Sequence, residues 1–363
     1  MEATSIVVLK AGSSILVQES GELDYTRIAN IVSDIAEIRA SGLQVVLVTS
    51  GAVAAGQFKR KSLRGVPRQQ RDQLFAAVGQ PKLIQFYSEI FGRHSCSVAQ
   101  LLLTREAFAN RTQYFSVRDT LRSLISNNIT PIVNDNDILH QSTEGFSDND
   151  QLAACIAGML NASMAIFLTT PHGILSDTKK PGSVVELVED LDGFEKVGTL
   201  VRSKQLGRGG MKSKINACRL LFDLGIKSAI ASGVPDRAAL SVLDGSLKCT
   251  RFAPEKPRKL TGVRKWLCTG AVPRGTICVS KQGGEKLIEL KQRGSLLATG
   301  VVSVKGDFAK GDVVCVCAEN NSLLGYGISR CSSEEIAQSR NEERKIVVHA
   351  DYFYGTAFGF FDA

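Results

Sequence analysis

Two hydrophobic spacings alternate over the first 250 positions. Short apolar runs, rich in β-branched residues, occur at 5–10, Leu43–Thr49, Ser97–Leu103, Thr130–Val133, Ala165–Leu168 and Ser228–Ala231. These read as strands, and the nearly continuous β-branched run Leu43–Thr49 as a buried parallel one. Between them the spacing becomes helical. Ile28, Ile31, Val32, Ile35 and Ile38 fall on one stripe, so Tyr25–Arg39 is predicted helical. Helices are also predicted at Gln69–Ile90, Arg118–Ile125, Asp150–Leu160 and Met211–Leu224. This rhythm predicts an α/β domain over residues 1–250, an open, mainly parallel sheet sandwiched by helices.

The pattern then changes. Residues 251–264 are basic, contain Pro254 and Pro257 and lack periodicity, and read as a linker. From 265 to 363 short strands are broken by glycine, at Thr276–Ser280, Gly300–Val304, Asp312–Val316 and Gly325–Ser329, with one helix predicted at Glu285–Arg293. This predicts a second domain, a small β-rich barrel.

Composition narrows the class. The chain has 363 residues, 44% of them hydrophobic, enough for two cored domains. No apolar run approaches the roughly 20 residues that span a bilayer, and Met1–Ser5 lacks the features of a secretory signal. Nine scattered cysteines, none in a Cys-x-x-Cys pair, fit reduced thiols in a cytoplasmic protein. Four dispersed histidines do not suggest a metal site. The net charge of +8 gathers at Lys59–Arg71 and Arg251–Lys265, without interleaved aromatics. That reads as solvated loops around a site for anionic substrates rather than as a nucleic-acid surface.

Four polar segments follow strand runs or open helical ones. Lys10–Ser14 leaves the first strand, with Gly12 permitting close approach of backbone N–H groups to an anion and Lys10 adding a charge. No Gly-x-x-x-x-Gly-Lys-Ser/Thr loop occurs. Thr49–Gly56 turns from a buried strand into small residues, as a helix start close to a carboxylate would. Val133–Asp137 and Ser147–Asp150 hold more Asx residues than turns and caps require. They could hold an ammonium group, orient lysines or carry magnesium through water. Gly207–Lys214 is a glycine-rich loop opening a helix, with Lys214 one turn in. Little here looks like a nucleophile or a general base. Phosphoryl transfer needs mainly positioning and charge neutralisation, and an acceptor that is already anionic needs no base. The set points to a small-molecule kinase.

Lys10–Ser14, Val48–Gly56, Ala76–Gln80, Leu101–Thr104, Arg118–Arg122, Asn134–Asp137, Asp148–Asp150 and Gly209–Met211, in this order, resemble the motifs of the glutamate 5-kinases, which have the amino-acid-kinase fold. Trp266, Gly294–Leu297, Gly306–Phe308 and Gly325–Arg330 resemble a PUA domain. The resemblance implies ATP-dependent phosphorylation of the side-chain carboxylate of L-glutamate, which opens proline synthesis. It implies that Lys10 and Lys214 stabilise the transferring phosphoryl group and that Asp150 holds both lysines. Ser50, Asp137 and Asn149 would bind glutamate, with Gly51 and Asn134 beside them. Gly12, Ser13, Thr169, Thr170, Arg208, Gly209, Gly210, Met211, Lys212 and Ser213 would face ATP, along with the two lysines. Magnesium would ride on the phosphates. The implied partners are a glutamyl-phosphate reductase and further copies of the chain, as a dimer or tetramer. RNA binding and membrane association are not expected.

The chain departs from the family's usual pattern at Thr170, Leu175, Thr178 and Arg208, all implied to lie near the nucleotide. The alternatives carried forward are another carboxylate kinase of the same fold and an RNA-binding or regulatory protein acting through the PUA-like domain.

Overall fold

Lys10 ends up near the middle of a wide sheet because β1 (Ile6–Ala11) pairs in parallel on both sides, with β2 (Gln44–Val48) and with β5 (Met164–Thr169). The computed structural model describes residues 5–57, 65–139, 149–177, 180, 182–191, 194, 210–255, 260–270, 272–288, 294–339 and 342–355. Two units are distinguished, Met1–Ala107 with Phe115–Arg258, and Phe108–Tyr114 with Lys259–Ala363.

The other strands of the first unit are β3 (Ser97–Leu103), β4 (Ile129–Asp135), β6 (Leu187–Val188), β7 (Lys227–Ser232) and β8 (Thr250–Phe252). Among the described residues they form an eight-stranded sheet of order β3-β4-β2-β1-β5-β7-β8-β6. Strands β3, β4, β2, β1, β5 and β7 are parallel, while β8 runs antiparallel to β7 and carries β6 with it. The β1, β2 and β5 side chains are almost wholly buried, as their unbroken apolar runs predict.

The helices are α1 (Ser13–Leu16), α2 (Tyr25–Ala40), α3 (Ala52–Ala55), α4 (Arg68–Arg93), α5 (Arg105–Ala109), α6 (Arg111–Ser126), α7 (Asn149–Leu160), α8 (Met211–Asp223) and α9 (Ala238–Leu243). The α2 stripe of Ile28, Ile31, Val32, Ile35 and Ile38 is buried as its spacing predicts, and Asp24 caps the helix by accepting from Arg27 N. α6 begins at Arg111 rather than Arg118. Strands β6 and β8 and helix α9 are not legible in the pattern, since elements so short carry no period. Arg251 and Phe252, read as the start of a linker, belong to β8. The Arg251 guanidinium donates to the carbonyls of Val242 and Leu247, so its charge is spent inside the unit rather than in a solvated tether.

A polar row on α2 grips the chain after β7. The Arg27 guanidinium donates to the carbonyls of Gly233 and Val234. Asn30 donates to Asp236 at 2.6 Å, and Glu37 pairs with Arg237 at 2.7 Å. Buried Asp34 accepts from Ala239 N at 2.9 Å. Burial outweighs that hydrogen bond and pushes the Asp34 carboxyl up from 3.8 to about 6. A carboxyl raised on folding takes up a proton as the chain folds, so its contribution is full below its unfolded value and is lost as pH rises through about 6. Asp34→Asn keeps the acceptor and removes the charge. It is expected to raise stability at pH 7–8 by on the order of 1–3 kcal/mol and to flatten the fall between about pH 4 and 6. Denaturant titrations of both proteins across that range check it.

The second unit holds α10 (Gly262–Thr269), β9 (Gly275–Val279), α11 (Lys281–Ile288), β10 (Leu296–Leu297), β11 (Val301–Lys305), β12 (Val313–Ala318), β13 (Leu323–Ser329), α12 (Ser333–Gln338) and β14 (Ile346–Gly355). Among the described residues its strands form a six-stranded sheet of order β10-β14-β13-β12-β9-β11. Ile277, Val279, Val314, Val316, Val347 and Phe353 build its core. The helix expected at Glu285–Arg293 lies at Lys281–Ile288; positions 289–293 are outside the described residues. Phe108–Tyr114 joins this unit despite its place in the chain. The Trp266 indole donates to Phe108 O at 2.9 Å, Thr269 donates to the Tyr114 hydroxyl at 3.2 Å, and a Cβ at Gly270 would stand 2.5 Å from Phe108 O.

Candidate active site

The six parallel strands end along one edge of the sheet, and the candidate residues sit there. β1 is the divide. The chain lays β2, β3 and β4 on one side of β1 and then β5 and β7 on the other. Such a switch point leaves an open crevice at the carboxyl ends of the strands.

At the end of β1, Lys10 Nζ lies 2.6 Å from Asp150 Oδ1, and Lys214 Nζ donates to Asp150 Oδ2 at 2.9 Å. All three side chains are buried, Asp150 completely. Residues 10, 150 and 214 come from β1, the first turn of α7 and the first turn of α8. Two buried ammonium groups thus meet at one carboxylate in a place shielded from water, where charges attract strongly. A Cβ at Gly12 would stand 3.0 Å from Lys10 Nζ, so the residue after the strand must be small for the lysine to lie as it does. Ser13 and Ser14 are exposed at the start of α1.

On the β2–β4 side, amides and hydroxyls form a continuous network. Asn149 Nδ2 donates to Thr49 O at 2.7 Å, Ser50 Oγ at 2.8 Å and Asn134 Oδ1 at 2.9 Å. Asp135 N donates to Asn134 Oδ1 at 2.9 Å and to Asn149 Oδ1 at 3.3 Å. Asn134 donates in turn to Gln80 Oε1 at 2.9 Å. The Thr49 and Tyr87 hydroxyls share a hydrogen bond of 2.7 Å beneath this network. Gly51 has φ +107° at the cap of α3, a conformation that glycine adopts without strain, and it turns the chain sharply after Ser50. Asp137 is half-buried in the turn that follows β4.

On the β5–β7 side, Thr169 is buried and Thr170 exposed. Thr170 Oγ1 donates to Ser14 O at 3.3 Å, and Ser232 Oγ donates to Thr170 O at 3.0 Å. These bonds tie the ends of β1, β5 and β7 together. Gly210 caps α8, Met211 and Ser213 are half-buried, and Lys212 is exposed. Leu175 forms an isolated antiparallel bridge with Val184. Arg208, Gly209 and Thr178 lie outside the described residues.

The structure thus brings Lys10, Asp150 and Lys214 into one cluster, and Ser50, Asn134 and Asn149 into another. Asp137 lies in the turn leaving β4, Thr169 and Thr170 at the end of β5, and Gly12 and Ser13 at the end of β1. Sequence reasoning did not single out Thr49, Gln80, Tyr87, Asp135 or Ser232 for a role. Gln80 closes the Ala76–Gln80 motif, which was a signal of position without an indication of contact. Nothing in the spacing points to Tyr87.

A model of the amino acid kinase family matches residues 5–232, and a model of the PUA domain matches residues 277–350. A glutamate 5-kinase of Dehalococcoides mccartyi is 36% identical over 341 residues, covering 92% of this chain and 90% of that protein. A glutamate 5-kinase of Bacteroides thetaiotaomicron is 32% identical over 355 residues, covering 96% of this chain and 98% of its own length. Among solved structures, a carbamate kinase from Giardia lamblia bound to AMP-PNP superposes with a TM-score of 0.53 at 19% identity, covering 70% of this chain and 100% of that one. That last likeness concerns the fold alone.

Proposed function

From the premise that this chain belongs to the amino acid kinase family, and within it to the glutamate 5-kinases, we propose that it transfers the terminal phosphoryl group of ATP to the side-chain carboxylate of L-glutamate, the first step of proline biosynthesis. The observation that carries the reading is the Lys10–Asp150–Lys214 cluster at the end of β1, with the amide network on one side and the β5–β7 edge on the other.

In this reading glutamate lies over Ser50, Gly51, Asn134, Asp137 and Asn149. The Asp137 carboxylate takes the substrate ammonium. ATP lies over Gly12, Ser13, Thr169, Thr170 and the 208–214 segment. The acceptor carboxylate is already ionised, so no residue has to remove a proton. Lys10 and Lys214 neutralise the charge spread over the transferring group, and Asp150 keeps both ammonium groups aimed at it. The buried, positive lysine cluster suits a polyphosphate. Asp150 is committed to two ammonium groups, so it fits a lysine holder better than a metal ligand. Magnesium, carried on the phosphates, supplies further charge neutralisation there.

The product is an acyl phosphate labile in water, which calls for a reductase to consume it promptly. Further parts of the reading are a cytoplasmic site of action, which fits nine scattered cysteines without a Cys-x-x-Cys pair, and a homo-oligomer. The oligomer is supported by exposed Leu74, Val78, Leu102, Ile138 and Leu139, with β3 at the edge of the sheet among the described residues. Among the described residues no helix is long and apolar enough to cross a membrane.

The test is a hydroxylamine trap with ATP, magnesium and glutamate, aspartate or N-acetylglutamate in parallel. Hydroxamate that needs both ATP and glutamate is expected. Turnover with a different acceptor, or none with any nucleotide, overturns the reading. Asp137→Ala is expected to raise the KM for glutamate by about ten-fold or more while leaving the KM for ATP alone, because it deletes a charge-assisted contact to one substrate only. Initial rates with each substrate varied in turn check this, and an unmoved glutamate KM would remove Asp137 from the site.

A further inference from the structure

We propose that Gln80 is a positioning residue of the glutamate site, acting through Asn134 on the face that the amide network turns toward substrate. The inference rests on the reading of that network as the glutamate site.

Asn134 is 2% exposed, so each polar atom of its amide needs a partner inside the protein. Its oxygen accepts from Asp135 N and from Asn149 Nδ2, both at 2.9 Å. Its nitrogen donates to Gln80 Oε1 at 2.9 Å. The two ends therefore meet groups of opposite character. Rotating the amide by half a turn would set NH2 against two donors and oxygen against the Gln80 acceptor. Asn149, whose Nδ2 is held by Thr49 O, Ser50 Oγ and Asn134 Oδ1, inherits that orientation. Gln80 belongs to α4, whereas Ser50, Asn134 and Asn149 sit at the ends of β2 and β4 and the start of α7. It is thus a support from a separate element.

The packing of α4 explains how the side chain reaches so far. A Cβ on Gly79 would fall 1.8 Å from Ala52 O, and one on Gly56 would fall 1.8 Å from Phe75 O. The backbones of α3 and α4 therefore touch directly, which only glycine allows. The helix carrying Gln80 is pressed against the turn carrying Ser50 and Gly51, and Gln80 is the residue after the contact glycine.

The test compares the full chain with Gln80→Leu, Gln80→Met, Asn134→Ala and the Gln80→Leu/Asn134→Ala double variant. Either apolar side chain removes the acceptor while keeping bulk, so one remains if the other folds poorly. Each is measured for KM with glutamate, KM with ATP, kcat and thermal midpoint. Removing the acceptor is expected to raise the glutamate KM by about ten-fold with the KM for ATP unmoved, and to lower the midpoint by only a few degrees because one buried amide hydrogen loses its partner. In the Asn134→Ala background the same substitution is expected to add less than about a two-fold change, because its route to substrate is gone. A full effect persisting without Asn134, an equal rise in both KM values, or no change in the glutamate KM would each overturn the proposal. If Asn134→Ala itself leaves the glutamate KM unmoved, the glutamate-site reading fails and takes this inference with it. If Asn134→Ala raises that KM and the Gln80 variants do not, only the role of Gln80 fails.

Discussion

Lys10→Met is expected to lower kcat by at least about 10²–10³-fold while leaving the thermal midpoint of the protein close to that of the parent chain. The two halves of this expectation have one electrostatic cause. Lys10 and Lys214 share the Asp150 carboxylate, at 2.6 and 2.9 Å. Without Lys10, Asp150 still has Lys214. Methionine keeps the volume of the lysine stem. The folded state therefore loses little, since the buried carboxylate keeps an ammonium partner. The reaction loses a donor aimed at charge that develops only during transfer, and that loss falls on kcat. Single-turnover rates with ATP and glutamate, together with a melting curve, decide the matter. A folded Lys10→Met protein with near-normal turnover would mean that phosphoryl transfer does not occur at the end of β1.

Asp150→Asn has a different expected signature, losing activity and stability together. The substitution leaves two buried ammonium groups facing a neutral amide. Removing one side of a buried ion pair costs about 3–5 kcal/mol, because the remaining charge stays desolvated without compensation. Asp150 is 0% exposed, so water cannot make up the loss. The midpoint of the first unit is expected to fall clearly, and kcat to fall with it, because neither lysine is held in line. Added phosphate or sulfate is expected to recover more stability in Asp150→Asn than in the parent, since an anion can replace the missing charge. Melting curves with and without such an anion provide the check. An Asp150→Asn protein as stable as the parent would show that the carboxylate does not hold the lysines in solution.

The contrast between these two variants separates residues that act on the substrate from residues that keep others ready. Gln80 belongs to the second kind on the glutamate side, as Asp150 does on the phosphate side. Both are read from contacts across long stretches of chain, 54 residues from Gln80 to Asn134 and 64 from Asp150 to Lys214.

Much of the fold could be read directly from the chain. The buried runs of β1, β2 and β5 and the isoleucine stripe of α2 have periods that only one geometry satisfies. The candidate residues Lys10, Ser50, Asn134, Asn149 and Lys214 were legible too, because glycine, Asx and lysine cluster where strands end and helices begin. Elements of two or three residues, such as β6 and β8, were not legible, since a period needs length to show itself. Arg251 read as part of a basic linker because its charge gave no sign that two carbonyls of its own unit would receive it. Phe108–Tyr114 gave no sign that it packs with Trp266 and Thr269.

By itself the sequence determined the class of fold, the set of polar segments at the strand ends and the charge available for chemistry. These depend on local spacing and residue type. Only the tertiary structure decided which segments meet. The strand order sets β1 between β2 and β5, so that residues 10, 150 and 214 share one buried centre, with the amide network on one side and the β5–β7 edge on the other. Strand order is a matter of how buried faces pack across the whole sheet, and no local pattern encodes it.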